Sequence, residues 1–163
     1  MDRKFGLLAL PALLLSGCAS YGPQRLPAGA SVAEVATAMG PPTGRYARPG
    51  GERIEYARGP LGKHTYMLDF DTQGRMMTWQ QVLTEPTFDA LRVGSSRDQV
   101  LQTIGHPSEA TRVALRDGAL WSYRYEGPFC KWFQVSLDPA GQVVETGYGP
   151  DPMCNDNDPG RSQ

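Results

Sequence analysis

The sequence predicts an α+β protein made of two tandem units, each a short helical hairpin followed by about three antiparallel strands. Three observations carry this prediction: a segment that recurs 65 to 67 residues later, helix start and stop signals inside each copy, and period-two alternation after each helix. Leu26, Gly29, Ser31, Glu34, Val35, Met39, Gly40 and Pro42 are matched by Leu91, Gly94, Ser96, Gln99, Val100, Ile104, Gly105 and Pro107, all 65 residues on. Gly51 and Tyr56 then match Gly118 and Tyr123, now 67 residues apart. The run from Leu68 through Asp71 and Gly74 to Met77 matches Val135 through Asp138 and Gly141 to Val144 at the same spacing.

Each element has a local cause. Ser31 and Ser96 stand three residues before Glu34 and Gln99, the spacing of a capping box. Val32, Val35 and Met39 recur at helical spacing, as do Val100, Leu101 and Ile104. Gly40 and Gly105 then stop the helix, and a proline follows two residues later. Tyr66, Leu68 and Phe70 alternate with Thr65, Met67 and Asp69. In the second unit Trp121, Tyr123 and Tyr125, and then Phe133, Val135 and Leu137, alternate with polar neighbours. That is the pattern of strands buried on one face. Asp71 to Gly74 and Asp138 to Gly141 supply turns, with Pro139 at the second position of the latter. One face of each sheet is expected on the helices and the other free, carrying Thr65, Met67, Trp132 and Gln134.

The N-terminus has a separate logic. Arg3 and Lys4 precede an apolar run from Phe5 to Leu15, interrupted by Pro11. A spanning helix needs about 20 apolar residues, so the run fits a signal-peptide core instead. Leu15-Ser16-Gly17-Cys18 follows and resembles the lipobox of bacterial lipoproteins. The resemblance implies cleavage before Cys18 and acylation of its thiol, hence a membrane anchor through lipid with the chain facing the periplasm. Ala19 follows in place of the aspartate of the inner-membrane retention signal, which points to the outer membrane.

Removing residues 1–17 from the 163 leaves 146, enough for one ordinary domain or two very small ones. The parsing is 1–17 signal peptide, 18–25 linker, 26–83 first unit, 84–90 linker, 91–149 second unit and 150–163 tail. A formal net charge of −1 gives no general attraction for nucleic acid. The 19 glycines and 14 prolines imply many turns. Of three cysteines, acylation leaves Cys130 and Cys154, and an oxidising compartment permits a disulfide between them. Two separate thiols are the alternative.

The glycine-serine-glutamate start, the Gly-x-Pro stop, the aromatic strand and the Asp-x-x-Gly turn together resemble the SmpA/OmlA (BamE-like) family of outer-membrane lipoproteins. The likeness covers residues 26–83 and 91–149. Members of that family usually carry one unit, whereas this chain carries two. The tandem arrangement also resembles the secreted β-lactamase-inhibitor proteins. The resemblance implies a non-enzymatic module that binds a periplasmic or outer-membrane protein, in outer-membrane protein assembly or envelope integrity. The second likeness implies an inhibitor or sensor docking a hydrolase on a concave sheet.

Motifs for chemistry are few. His64 and His106 have no metal-ligand spacing, and His106 is matched by Pro41, which marks a turn position. Gly62-Lys63-His64-Thr65 fails as a phosphate loop, because Ala57 stands where the first glycine is needed and His64 where a hydroxyl is needed. The tail from Asp151 to Asp158 is rich in oxygen donors but lacks the glycine and closing glutamate of a calcium loop. The expectation is therefore no catalytic residue, no metal and no cofactor beyond the lipid on Cys18. Two readings stand for Arg45, Arg48, Arg53, Arg58 and Lys63: contact with anionic groups, or a solvated face balanced by Glu52 and Glu55. Two also stand for Trp132: an exposed aromatic anchor, or a ring covered by the tail.

Overall fold

A computed structural model describes residues 22–113 and 117–155. The signal peptide, Cys18 and the end of the tail lie outside the described residues. The architecture is α+β, with two four-stranded antiparallel sheets and few helices. The first sheet is β1 (Gly44–Arg48), β2 (Gly51–Arg58), β3 (His64–Asp71) and β4 (Met76–Gln81), in that spatial order. The second is β5 (Glu109–Val113), β6 (Gly118–Arg124), β7 (Lys131–Leu137) and β8 (Val143–Pro150).

Each sheet thus has one strand more than the alternation predicts. The additional strands are β1 and β5, which pair along one edge with β2 and β6. Both are exposed along most of their length, so they lack the apolar alternation that marks a half-buried strand.

The helices are α1 (Val32–Met39) and α3 (Arg97–Ile104), eight residues each. Both start on the capping boxes that the sequence predicts. The Ser31 hydroxyl accepts from the Glu34 N–H at 3.3 Å while the Glu34 carboxylate accepts from the Ser31 N–H at 2.7 Å. Ser96 and Gln99 repeat the exchange at 3.2 and 2.7 Å. Both helices stop on glycines with φ of 80°, a conformation that a Cβ disfavours. A shorter turn precedes each: Pro23–Arg25 before α1, and α2 (Glu85–Asp89) before α3. The expected hairpin is therefore one two-turn helix with a brief helical turn in front of it. The segment parsed as a linker, 84–90, holds α2 and its buried Phe88.

Each helix lies across its own sheet and closes a separate core. Val35, Met39, Ile54, Tyr56, Leu68 and Phe70 fill the first. Val100, Ile104, Tyr123, Phe133 and Val135 fill the second, where Phe88 stacks on Phe133 with ring centroids 4.2 Å apart. Backbone bonds tie the loop before each helix to the start of the last strand: Met76 N–H to Ala30 O, and Val143 N–H to Ser95 O. The turns between the last two strands close as the sequence predicts, with Gly74 and Gly141 N–H donating to Asp71 O and Asp138 O.

One matched pair differs. The Tyr123 hydroxyl donates to Gly105 O at 3.1 Å. Its counterpart, Tyr56, has a buried hydroxyl with no hydrogen-bond partner among the described residues. Arg58 occupies the equivalent helix end, donating to Met39 O and Pro41 O. A buried polar group without a partner costs about 1–3 kcal/mol. Tyr56→Phe is therefore expected to raise stability by about 1 kcal/mol in urea denaturation, and Tyr123→Phe to lower it by about 1 kcal/mol. The same sign for both substitutions would contradict this contrast.

Candidate functional site

The two units meet on the outer face of the first sheet, opposite its core. This face presents Tyr46 from β1, Arg53 and Glu55 from β2, and Thr65, Met67 and Asp69 from β3, as the strand register requires. The end of α3 and the turn after it pack here. Arg53 donates to Gln102 O at 2.9 Å. The Glu55 side chain is fully buried and accepts from the His106 N–H at 2.8 Å and the Tyr46 hydroxyl at 2.6 Å. His106 Nδ1 lies 2.8 Å from the other oxygen of that contact, Glu55 Oε2. A carboxylate only accepts, so Nδ1 carries the proton. Burial and the bond to Glu55 push the Tyr46 hydroxyl pKa up, which keeps it a donor. Burial, with the Glu55 charge behind it, does the same for Tyr123.

This contact overturns the expectation that the first sheet leaves one face free. Thr65 and Met67 are each 1% exposed. Gly105 approaches so closely that a Cβ there would stand 2.7 Å from Glu55 Oε1 and 2.9 Å from the Thr65 methyl. The two residues serve the joint between units, not an open surface.

The matching face of the second sheet has no further unit upon it. Here Ser122 stands for Glu55, Gln134 for Met67, and Trp132 for Thr65. Gln134 is half-buried and donates to the Ser122 hydroxyl at 3.3 Å. Its cross-strand neighbour is Gly147, which faces open space. Trp132 is only 7% exposed, so the reading of an open aromatic anchor gives way. The Arg124 guanidinium lies 5.1 Å from its ring centroid and pairs with Asp151 of the tail at 2.9 Å. Cys130 and Cys154 are disulfide-bonded with Cα atoms 6.1 Å apart, which holds α4 (Pro152–Asn155) beside β7.

The cationic cluster of the first unit is largely compensated. Arg45 pairs with Glu52, and Arg48 and Arg53 share Asp69. Hydrogen bonds from Arg53 hold the Asp69 carboxyl pKa below its ordinary value. Arg58 is spent on helix-end carbonyls, and Lys63 forms no ion pair with another described residue. His64 contacts Glu126 at 3.0 Å, across the units. Among the described residues, no group of three or more His, Cys, Asp or Glu side chains is placed to hold a metal. No described helix is long and apolar enough to cross a membrane.

Glu55 is the residue that sequence reasoning missed. The signal was present as a pair of departures between the repeats: Glu55 replaces the serine type of Ser122, and His106 replaces the proline type of Pro41. Those two departures meet in space.

No protein-family model matches the chain, and no curated protein matches it. Among solved structures, it is similar to a crystal structure of an extracellular protein containing a SCP domain from Bacillus anthracis str. Ames. That likeness has a TM-score of 0.31 and 10% identity, covering 95% of this chain and 52% of the other. The chain thus spans about half the length of that protein.

Gly40 and Gly105 share a φ of 80°, but only Gly105 is crowded by Glu55; the nearest atom to a Cβ at Gly40 is Arg58 Nη2 at 3.8 Å. Gly40→Ala is expected to cost about 1–3 kcal/mol from backbone strain alone. Gly105→Ala should cost at least about 1 kcal/mol more, because the buried carboxylate must shift. Equal losses in denaturant titrations would show that Glu55 is not seated as described.

Proposed function

We propose that the chain is a non-enzymatic lipoprotein, anchored through Cys18 on the periplasmic face of the outer membrane, that binds a protein partner on the outer face of its second sheet. The observation that carries this reading is the contrast between matched faces. The first is apolar at Met67 and covered by α3; the second is polar at Gln134 and uncovered by any further unit. The non-enzymatic part is supported by the engagement of a thiol and an imidazole that could otherwise serve as nucleophile or base: Cys130 is in the disulfide, and His106 is held by Glu55. The repeated sequence motif resembles that of the SmpA/OmlA family, and a role in envelope assembly is what that resemblance implies. A hydrolase docked across both sheets is less favoured, because the outer face of the first is occupied.

Anchoring and binding are tested separately. Cys18→Ser should release the protein from membranes, and its retention there would overturn the lipid anchor. The lipidated protein, captured from detergent-solubilised membranes, should bring down a component of the barrel-assembly machinery. Gln134→Arg should reduce that capture about tenfold, equivalent to about 1.4 kcal/mol, with an unchanged melting temperature. No such component, or capture indifferent to Gln134→Arg, would contradict the proposed binding face.

A further inference from the structure

The cleft of about 430 Å³ at the end of the molecule where β2 turns into β3 and β6 into β7 is lined by Leu61, Lys63, Phe129, Lys131 and Met153. Its apolar residues are turned outward: Leu61 is 54% exposed, Phe129 68% and Met153 39%. Leu61 also has φ of 62° and ψ of 18°, the left-handed region that a Cβ disfavours. A turn alone would be served better there by glycine or asparagine, so both backbone and exposure disfavour the leucine. Phe129 and Met153 each precede a cysteine of the disulfide, which brings these two apolar side chains to the same cleft.

The charge at this end is positive where it is not compensated. Lys131 lies 5.3 Å over the Phe129 ring. Neither Lys63 nor Lys131 forms an ion pair with another described residue, and Asp151 is taken by Arg124, while the exposed Glu126 beside His64 offsets part of the lysine charge. Apolar side chains at loop tips with lysines around them suit the boundary between lipid headgroups and acyl chains. The chain enters the fold at the same end. A Cβ at Gly22 would lie 2.9 Å from the Tyr66 ring, two residues past His64 at the start of β3. Cys18 precedes Gly22 by four residues in the sequence.

We propose that Leu61, Phe129 and Met153, flanked by Lys63 and Lys131, form a docking surface for an anionic lipid bilayer, placed beside the anchored N-terminus. The proposal rests on the lipoprotein reading for its setting, but the surface should bind lipid without the anchor. A basic and apolar contact beside a lipid anchor would fix the orientation of the fold at the bilayer.

The test uses the mature chain from residue 18 carrying Cys18→Ser, so that no lipid is attached. It is mixed with vesicles of phosphatidylglycerol and phosphatidylethanolamine, or of phosphatidylcholine alone, and sedimented. Binding to the anionic vesicles is expected, with weaker binding at high salt and to phosphatidylcholine. Phe129→Ser should weaken it about tenfold or more, and Lys63→Glu with Lys131→Glu should abolish the preference for anionic lipid. Leu61→Asn should also weaken binding while keeping or raising the melting temperature, because asparagine tolerates the left-handed conformation. Failure of the unacylated chain to bind anionic vesicles, or equal binding by these variants, would overturn the proposal. So would self-association in sedimentation velocity that the same variants abolish, which would assign the surface to a second copy. Release of Cys18→Ser from membranes in cells reports on the anchor alone, so either reading can fail without the other.

Discussion

Glu55 is fully buried at the junction of the two units, and its carboxylate gathers the Tyr46 hydroxyl, the His106 N–H and His106 Nδ1. Withdrawing a carboxylate from water costs several kcal/mol unless hydrogen bonds replace the lost solvent. Here the donors come from β1 of one unit and the helix stop of the other, so the cost is offset only when both are in place. Gly105 must lack a side chain for the turn to come this close. Arg53 adds a second tie by donating to Gln102 O while its guanidinium is paired with Asp69. The relative placement of two otherwise self-contained cores depends on this joint.

The same joint explains the difference between the units. A repeat that covers its neighbour's sheet needs an acceptor on the sheet and an N–H on the turn. Glu55 and His106 supply them once. At the matching positions the chain has Ser122 and Pro41, and proline has no N–H to give. The Glu55–His106 joint is thus made once among the described residues. The face left at the end has Gln134 in place of Met67, and polar side chains suit a surface that spends part of its time in water. The loop tips beside the disulfide carry Leu61 and Phe129 outward beside lysines. The proposed protein-binding face and the proposed lipid-docking tips thus use different residues.

Much of each unit was legible because its signals are local. The capping boxes at Ser31 and Ser96, the glycine stops, the Asp-x-x-Gly turns and the alternation of β3 and β7 all lie within about eight residues of the atoms they govern. The α+β class with two sheets followed from them. The edge strands β1 and β5 were not legible, since an exposed strand has no buried face to imprint a pattern. Alternation placed Thr65 and Met67 on the correct face. It could not say what lies upon that face, because the covering residues are some 40 positions later in the chain. Glu55 and His106, 51 residues apart, belong to the same class of long-range contact. The sequence leaves Trp132 open to two readings for the same reason, because the Arg124–Asp151 pair that covers it reaches to the tail.

The central claim is that Glu55 makes two cores behave as one cooperative body. Native-state hydrogen exchange on Glu55→Ala tests it most directly. In the parent, the slowest amides of both cores, such as Leu68 and Tyr123, should exchange with one common opening free energy. In Glu55→Ala the two sets should separate, with the global value lower by about 2–4 kcal/mol as the donors of Tyr46 and His106 lose their acceptor. A common value that persists in the variant, or a loss under about 0.5 kcal/mol, would contradict the account.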